Sequence, residues 1–270
     1  MRIPKTARPV SAELPEVYIG RGDYAAGGAR SLPFLDLDCA RRRRPLVFGE
    51  VTDDLSTYPM TAAGMFSGRQ QDPCEWAVMW KELGADGVCV RVRTEDPEAA
   101  VSLIRSVSDR TRLPVAVDAP PHIAEKVASS VDDTKLLVFS EGGVPGIHLP
   151  VLRCSDPDDA AARAADLEEA AVSFPSKPLG GGMEEFDSLI SGYRNRGLSG
   201  EAGCRFPIVA DVTSAWNHEG AVREDDARRI SLWEATGALS AMLAGADILI
   251  VRGPGAADMA RVYGEELADL

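Results

Sequence analysis

Histidine and cysteine are scarce in this chain of 270 residues, and neither is grouped. His122, His148 and His218 give no HxH or HExxH spacing, and Cys39, Cys74, Cys89, Cys154 and Cys204 contain no CxxC pair. A disulfide framework, a structural zinc site and a self-contained iron–sulfur cluster all need closely spaced thiolates or imidazoles, so this spacing argues against each. Basic residues are also in deficit, 29 Lys and Arg against 42 Asp and Glu, for a formal charge of −13. Nucleic acid and anionic lipid surfaces bind through clustered Lys and Arg, so neither is an expected partner. The one basic cluster, Arg41 to Arg44, precedes the first strongly apolar run and reads as a solvated turn at a strand opening rather than a binding patch. No stretch approaches the roughly 18 to 20 apolar residues of a membrane span, and the start MRIPKTARPV lacks an apolar signal segment, so a cytoplasmic protein is expected. Covalent acyl chemistry has no visible nucleophile, since there is no GxSxG elbow and no cysteine after a small-residue turn.

What the chain does have is a regular alternation, from residue 46 onward, of short β-rich apolar runs with longer segments of helical spacing. Strands are expected at Leu46–Val51, Gly87–Val92, Pro114–Asp118, Leu136–Ser140, Gly146–Val151, Ala171–Phe174, Pro207–Val212 and Asp247–Val251. Three of the helices open on Asp-Pro, at 72–73, 96–97 and 156–157, where an aspartate caps the first turn and proline's missing donor costs nothing. After the fourth strand the segment EGGVPG is too short and too rich in Gly and Pro for a helix, so the fourth helix is expected to be missing and the barrel wall there to be uncovered. Eight βα units with no GxGxxG after any strand predict an α/β fold, a (β/α)8 TIM barrel over 46–270 as a single domain. Residues 1–45 lie outside the count and read as an N-terminal hairpin with Gly27-Gly28 in its turn, placed to plug the N-terminal end of the barrel.

In this fold, binding and chemistry sit at the C-terminal ends of the strands. Those positions are Glu50, Thr52, Asp53, Arg91, Arg93, Asp118, Ser140, Glu141, His148, Ser176, Lys177, Asp211, Thr213, Ser214 and Arg252. The ring is polar with both signs of charge, which suits a ligand with amide or carboxylate edges better than a bare phosphate. Lys177 has the position of a Schiff-base lysine, but KPLGGG also reads as a loop opening outward. The run Gly180 to Gly182 reads as a flexible access loop or as exposed backbone donors for a phosphate. Trp216, in the loop VTSAWN, is either an exposed aromatic anchor for an interface or a lid over the barrel core.

Three segments carry a family resemblance: SLWEATGALSAMLAGADILIVRGPGA near the C-terminus, the hairpin with Gly27-Gly28 and Leu32-Pro33-Phe34, and DPCEWAVMWKELGADGVCVRV. They resemble the small (delta) subunit of the corrinoid iron–sulfur protein of the acetyl-CoA synthase/decarbonylase system, in a shortened version. The resemblance implies a barrel paired with a larger subunit that carries the iron–sulfur cluster and shares cobalamin, a corrinoid, with it. Methyl groups would pass from methyltetrahydrofolate toward acetyl-CoA synthase, with that synthase and a methyltransferase as further partners. Methyl transfer occurs at cobalt, so such a barrel need only shield one face of the cofactor and hydrogen-bond its amides. On this reading Thr213, Ser214, Trp216 and Asn217 contact the cofactor, followed by Asp211, Thr52 and Arg252; no catalytic residue and no metal ligand is expected in this chain. The alternatives are a stand-alone methyltetrahydrofolate-binding pterin methyltransferase, with Asp118 and Asp211 gripping the pterin, and a class I aldolase-like lyase through Lys177.

Overall fold

A computed structural model describes residues 12–31, 44–56, 58, 64–223 and 226–269 of the chain. An antiparallel pair comes first, β1 (Glu16–Ile19) and β2 (Tyr24–Gly27). Then follow β3 (Leu46–Thr52), α1 (Pro73–Glu82), β4 (Gly87–Arg91), α2 (Pro97–Thr111), β5 (Val115–Asp118), α3 (Pro121–Ser130), β6 (Leu137–Ser140) and, with no helix between, β7 (Leu149–Arg153). The second half runs α4 (Pro157–Ala164), β8 (Ala171–Ser173), α5 (Met183–Leu198), β9 (Val209–Asp211), a short α6 (Glu219–Val222), α7 (Ala227–Ala244), β10 (Ile248–Val251) and α8 (Pro254–Asp269). Eight parallel strands are ordered β8-β7-β6-β5-β4-β3-β10-β9, and a parallel bridge between Val172 and Ile208 joins the two ends into a nearly closed (β/α)8 barrel. The aspartates of all three Asp-Pro pairs cap as expected. Asp72 accepts from the Cys74 N–H, Asp96 from Glu98 and Ala99, and Asp156 from Asp158 and Asp159.

Strand periodicity sorts the barrel into two apolar layers with a polar top. Inward-facing Phe48, Cys89, Ala116, Val151, Val209 and Ile250 share one core cluster, while Val47, Val88, Val117, Leu152 and Leu249 pack outward against the helices. Two residues beyond each of those inward positions come Glu50, Arg91, Asp118, Arg153, Asp211 and Arg252, so the next inward layer is charged. Burial pushes the thiols up, Cys204 to about 11 and Cys154 to about 12, as befits packed core cysteines. Gly49 faces outward beneath α1, where a β-carbon would overlap the Trp80 ring. We expect Gly49→Ala to cost at least about 1–3 kcal/mol, because the fully buried Trp80 cannot move aside. Urea unfolding measures the loss, and a midpoint equal to that of the parent chain would refute this packing.

The hairpin does close the N-terminal end: Val17, Ile19 and Ala26 join the inner cluster with Leu46, Phe48 and Leu149, and Gly20 pairs with Lys135. Its turn, however, is formed by residues 20–23, and Gly27-Gly28 stands at the far end of β2. The reason is close approach, since Gly27 has φ +88 and a β-carbon there would strike the Pro15 carbonyl. Leu32-Pro33-Phe34 and Arg41 to Arg43 lie outside the described residues, as does Cys39. Arg44 pairs with Asp86 through two bonds of 2.6 and 2.7 Å, fastening the opening of β3.

Two further expectations change. The fourth helix is absent, but the wall is not bare: Val138 and Leu152 are fully buried, and Val144 and Leu167 pack on the outer cluster. Val144 of the connection and Leu167, from the segment after α4, share the cover. The fifth barrel strand also begins later than the apolar run suggests, at Leu149 rather than Gly146. His148 therefore precedes the strand and sits at the N-terminal end, where Nδ1 accepts the Leu136 N–H and Nε2 meets the carbonyls of Ala128 and Val131. The shift removes His148 from the mouth and puts Arg153 there.

Candidate functional site

The mouth is organised around Arg91, whose guanidinium joins three strand ends. It donates to Glu50, to Asp118 at 2.7 Å, to Asp211 at 2.6 Å and to Thr213 at 3.1 Å. Arg252 donates to both oxygens of Glu50, and lies 4.8 Å from the Tyr58 ring centroid and 5.8 Å from that of Trp216. Asp118 also accepts from Arg153 at 2.5 Å, and Arg93 stands 3.7 Å away. Register explains the convergence: Thr52 pairs with Arg91 and Arg91 with Asp118 across adjacent parallel strands, so charges distant in sequence share one layer.

Each carboxylate stays ionised because neighbouring guanidiniums outweigh burial. Burial alone would raise Glu50, but Arg252 and Arg91 hold it below its ordinary value. Asp118 is likewise held down by Arg153 and Arg91, and Asp211 by Arg91 and the Thr213 hydroxyl, against the upward push of desolvation. Arg91 is disfavoured by burial but held charged by Asp211 and Glu50.

A cavity of about 300 Å³ opens on this layer. Thr52, Asp211, Thr213, Ser214, Asn217 and Arg252, six of the seven expected contact residues, line it together with Glu50, Tyr58, Arg91, Arg93 and Ser176. Thr52 Oγ1 donates to the Arg91 carbonyl at 3.1 Å, and the Ser176 and Ser214 hydroxyls share a 2.7 Å bond. Asn217 is exposed at the rim. Trp216 is the exception. At 2% exposure it is a lid over the core and does not present an aromatic face outward. Lys177 pairs with Glu185 outside the mouth, and Glu141 pairs with Arg163. Asp53 uses both oxygens on the N–H groups of Arg93 and Thr94, and Ser140 donates to the Gly142 carbonyl. Glycines 180 and 181 lie against the imidazole of His218, which stacks on Trp233 at 5.0 Å.

Three participants escape the sequence reading. Arg153 was hidden by the strand register, and Tyr58 sits in the long loop after β3, where periodicity has nothing to count. Glu234, in the WEATG segment, is fully buried and accepts the N–H groups of Arg252 at 2.6 Å and Gly253 at 2.8 Å. It thereby pins the junction of β10 and α8 and aims Arg252 into the mouth. A glutamate on an otherwise buried helix face is the signal that could have found it. Among the described residues no group of His, Cys, Asp and Glu is placed to hold a metal ion, and no helix is long and apolar enough to cross a membrane.

Barrel and mouth together define a TIM barrel with a polar, charge-paired C-terminal rim. Solved structures agree on the fold. Dihydropteroate synthase from Thermus thermophilus superposes with a TM-score of 0.59 at 15% identity, over 95% of this chain and 100% of that one. The Yersinia pestis enzyme in a sulfonamide complex gives 0.58 at 12%, over 84% and 97%. In sequence, the chain is similar to the acetyl-CoA decarbonylase/synthase complex subunit delta of Methanocaldococcus jannaschii, 24% identical over 299 aligned positions covering 94% of this chain and 72% of that protein. No family model matches the chain.

Proposed function

We propose that this chain is the barrel subunit of a methyl-transfer assembly and that its mouth docks against a corrinoid held largely by a larger, cluster-bearing partner in the cytoplasm. The observation that supports it most is the similarity to a delta subunit across 94% of the chain, with most of the expected contact residues lining one cavity. When bound, cobalamin would supply the methyl-carrying cobalt. The residues fit a peripheral contact with such a group. Tyr58 Oη is buried beside the cavity with no hydrogen-bond partner among the described residues, and Ser176, Ser214 and Asn217 offer uncharged donors suited to amide edges. At about 300 Å³ the cavity is at the small end of ligand sites, so it receives an edge of a large cofactor and does not enclose it. The work left to this chain is to exclude water and fix orientation. The Arg91–Glu50–Arg252 layer does this by holding the floor of the mouth rigid.

The rival pterin reading draws on Asp118 and Asp211, which do reach the mouth, but both carboxylates are already bound by arginines. A pterin would have to displace a guanidinium from each. Sedimentation of the chain with a corrinoid-loaded large subunit tests the proposal. We expect a complex that Ser214→Trp, a bulky group on the rim, weakens by about tenfold or more. Absence of a complex, or one indifferent to Ser214→Trp, would overturn it, and calorimetric heat with methyltetrahydrofolate on the isolated chain would favour the rival.

A further inference from the structure

A second cavity, of about 620 Å³, opens beside the first over the ends of β6, β7 and β8 and shares Arg91, Ser176 and Asp211 with it. Its floor is apolar, from Phe139 and Phe174, and its distinctive wall residue is Arg153. The Arg153 guanidinium lies 4.7 Å from the Phe139 ring centroid, and among the described residues it donates a single hydrogen bond, to Asp118. The side chain is 46% exposed whereas Asp118 is 9% exposed, so the donors not spent on Asp118 are open to solvent at the cavity wall. The other two cations lining it are already held, Arg163 by Asp159 and Glu141 and Arg91 by Glu50, Asp118 and Asp211.

The mouth layer balances three guanidiniums, Arg91, Arg153 and Arg252, against three carboxylates, Glu50, Asp118 and Asp211. Arg153 is the most exposed of the three, at 46% against 14% and 13%, and it shares the carboxylate of Asp118 with Arg91 and Arg93. A planar guanidinium with open N–H groups binds carboxylates through paired hydrogen bonds, and the two phenylalanines lining the cavity favour an apolar body.

From this we infer a second ligand site, in which Arg153 holds the carboxylate of a small organic acid while its apolar portion lies on Phe139 and Phe174. The site needs neither a corrinoid nor a partner, so it is tested on the isolated chain and stands or falls apart from the methyl-transfer reading. Calorimetry with acetate, butyrate and hexanoate should show affinity rising, toward about fourfold for each methylene that becomes buried. Inorganic phosphate should bind more weakly than hexanoate. Arg153→Gln should lower hexanoate affinity about tenfold or more, since a charge-assisted pair is lost. Asp118→Asn removes the competing carboxylate and should raise that affinity, a gain that a misfolded variant cannot produce. The inference is overturned if no carboxylate binds to either the parent chain or Asp118→Asn, if binding ignores Arg153→Gln, or if phosphate binds as well as hexanoate with no dependence on chain length.

Discussion

Replacing Glu50 by Gln should destabilise the protein by about 3–5 kcal/mol, because it leaves a buried guanidinium without its counter-charge. Glu50 is 1% exposed and receives both Arg91 and Arg252. Arg91 would keep Asp118 and Asp211, but Arg252 pairs with no other carboxylate among the described residues. In a chain of this size the loss corresponds to a fall in Tm of about 5–9 °C. A double variant, Glu50→Gln with Arg252→Met, should recover much of the loss, since it removes the orphaned charge along with its partner. Calorimetric unfolding of the three variants decides the point. A loss below about 1 kcal/mol for Glu50→Gln would show the pair to be far better hydrated than its burial implies. The same carboxylate gives an acid limit. Its pKa is lowered on folding, so its stabilisation is complete above the unfolded value and is lost as pH falls through the folded one.

Glu234 should impose the opposite pH dependence. Burial raises its pKa to about 7, with the N–H groups of Arg252 and Gly253 opposing the shift only in part. A carboxyl group whose folded pKa lies above its unfolded value of about 4.3 favours the folded state fully below that unfolded value. This favour disappears as pH rises through the folded value. Between pH ~5 and ~8 the protein should therefore lose about 2–3 kcal/mol of stability from this group, at about 1.4 kcal/mol per pKa unit. The depressed carboxylates Glu50, Asp118 and Asp211 do not offset it, since their contributions are already complete above pH ~5. Urea unfolding at the two ends of the window would measure the slope, and Glu234→Gln should flatten it. If the parent chain and Glu234→Gln share one slope, the dependence arises elsewhere.

The same two glutamates show how unevenly the site can be read from sequence. Glu50 stands two residues after Phe48 in a strand, and a period of two places it at the mouth without any knowledge of the fold's closure. Glu234 lies on a helix, and nothing in its spacing says that the junction after β10 will bring two backbone N–H groups to it. Trp216 was open to two readings, and only burial chose between anchor and lid. Arg153 was missed because Gly146 to His148 continues an apolar run that the chain does not continue as a strand: His148 turns its ring onto the backbone of Leu136, Ala128 and Val131 and holds the connection at the bottom of the barrel.

By itself, then, the sequence determined the class of fold, the three Asp-Pro helix starts, the missing fourth helix and most of the polar residues at the mouth. These follow from periodicity and capping, which act between residues close in the chain. Tertiary structure alone decided that the charges there form one paired layer, that Arg153 is left with open donors beside it, and that Val144 and Leu167, from two different connections, cover the wall after β6. Those outcomes depend on the register of eight strands brought side by side, and no local pattern encodes which guanidinium will meet which carboxylate.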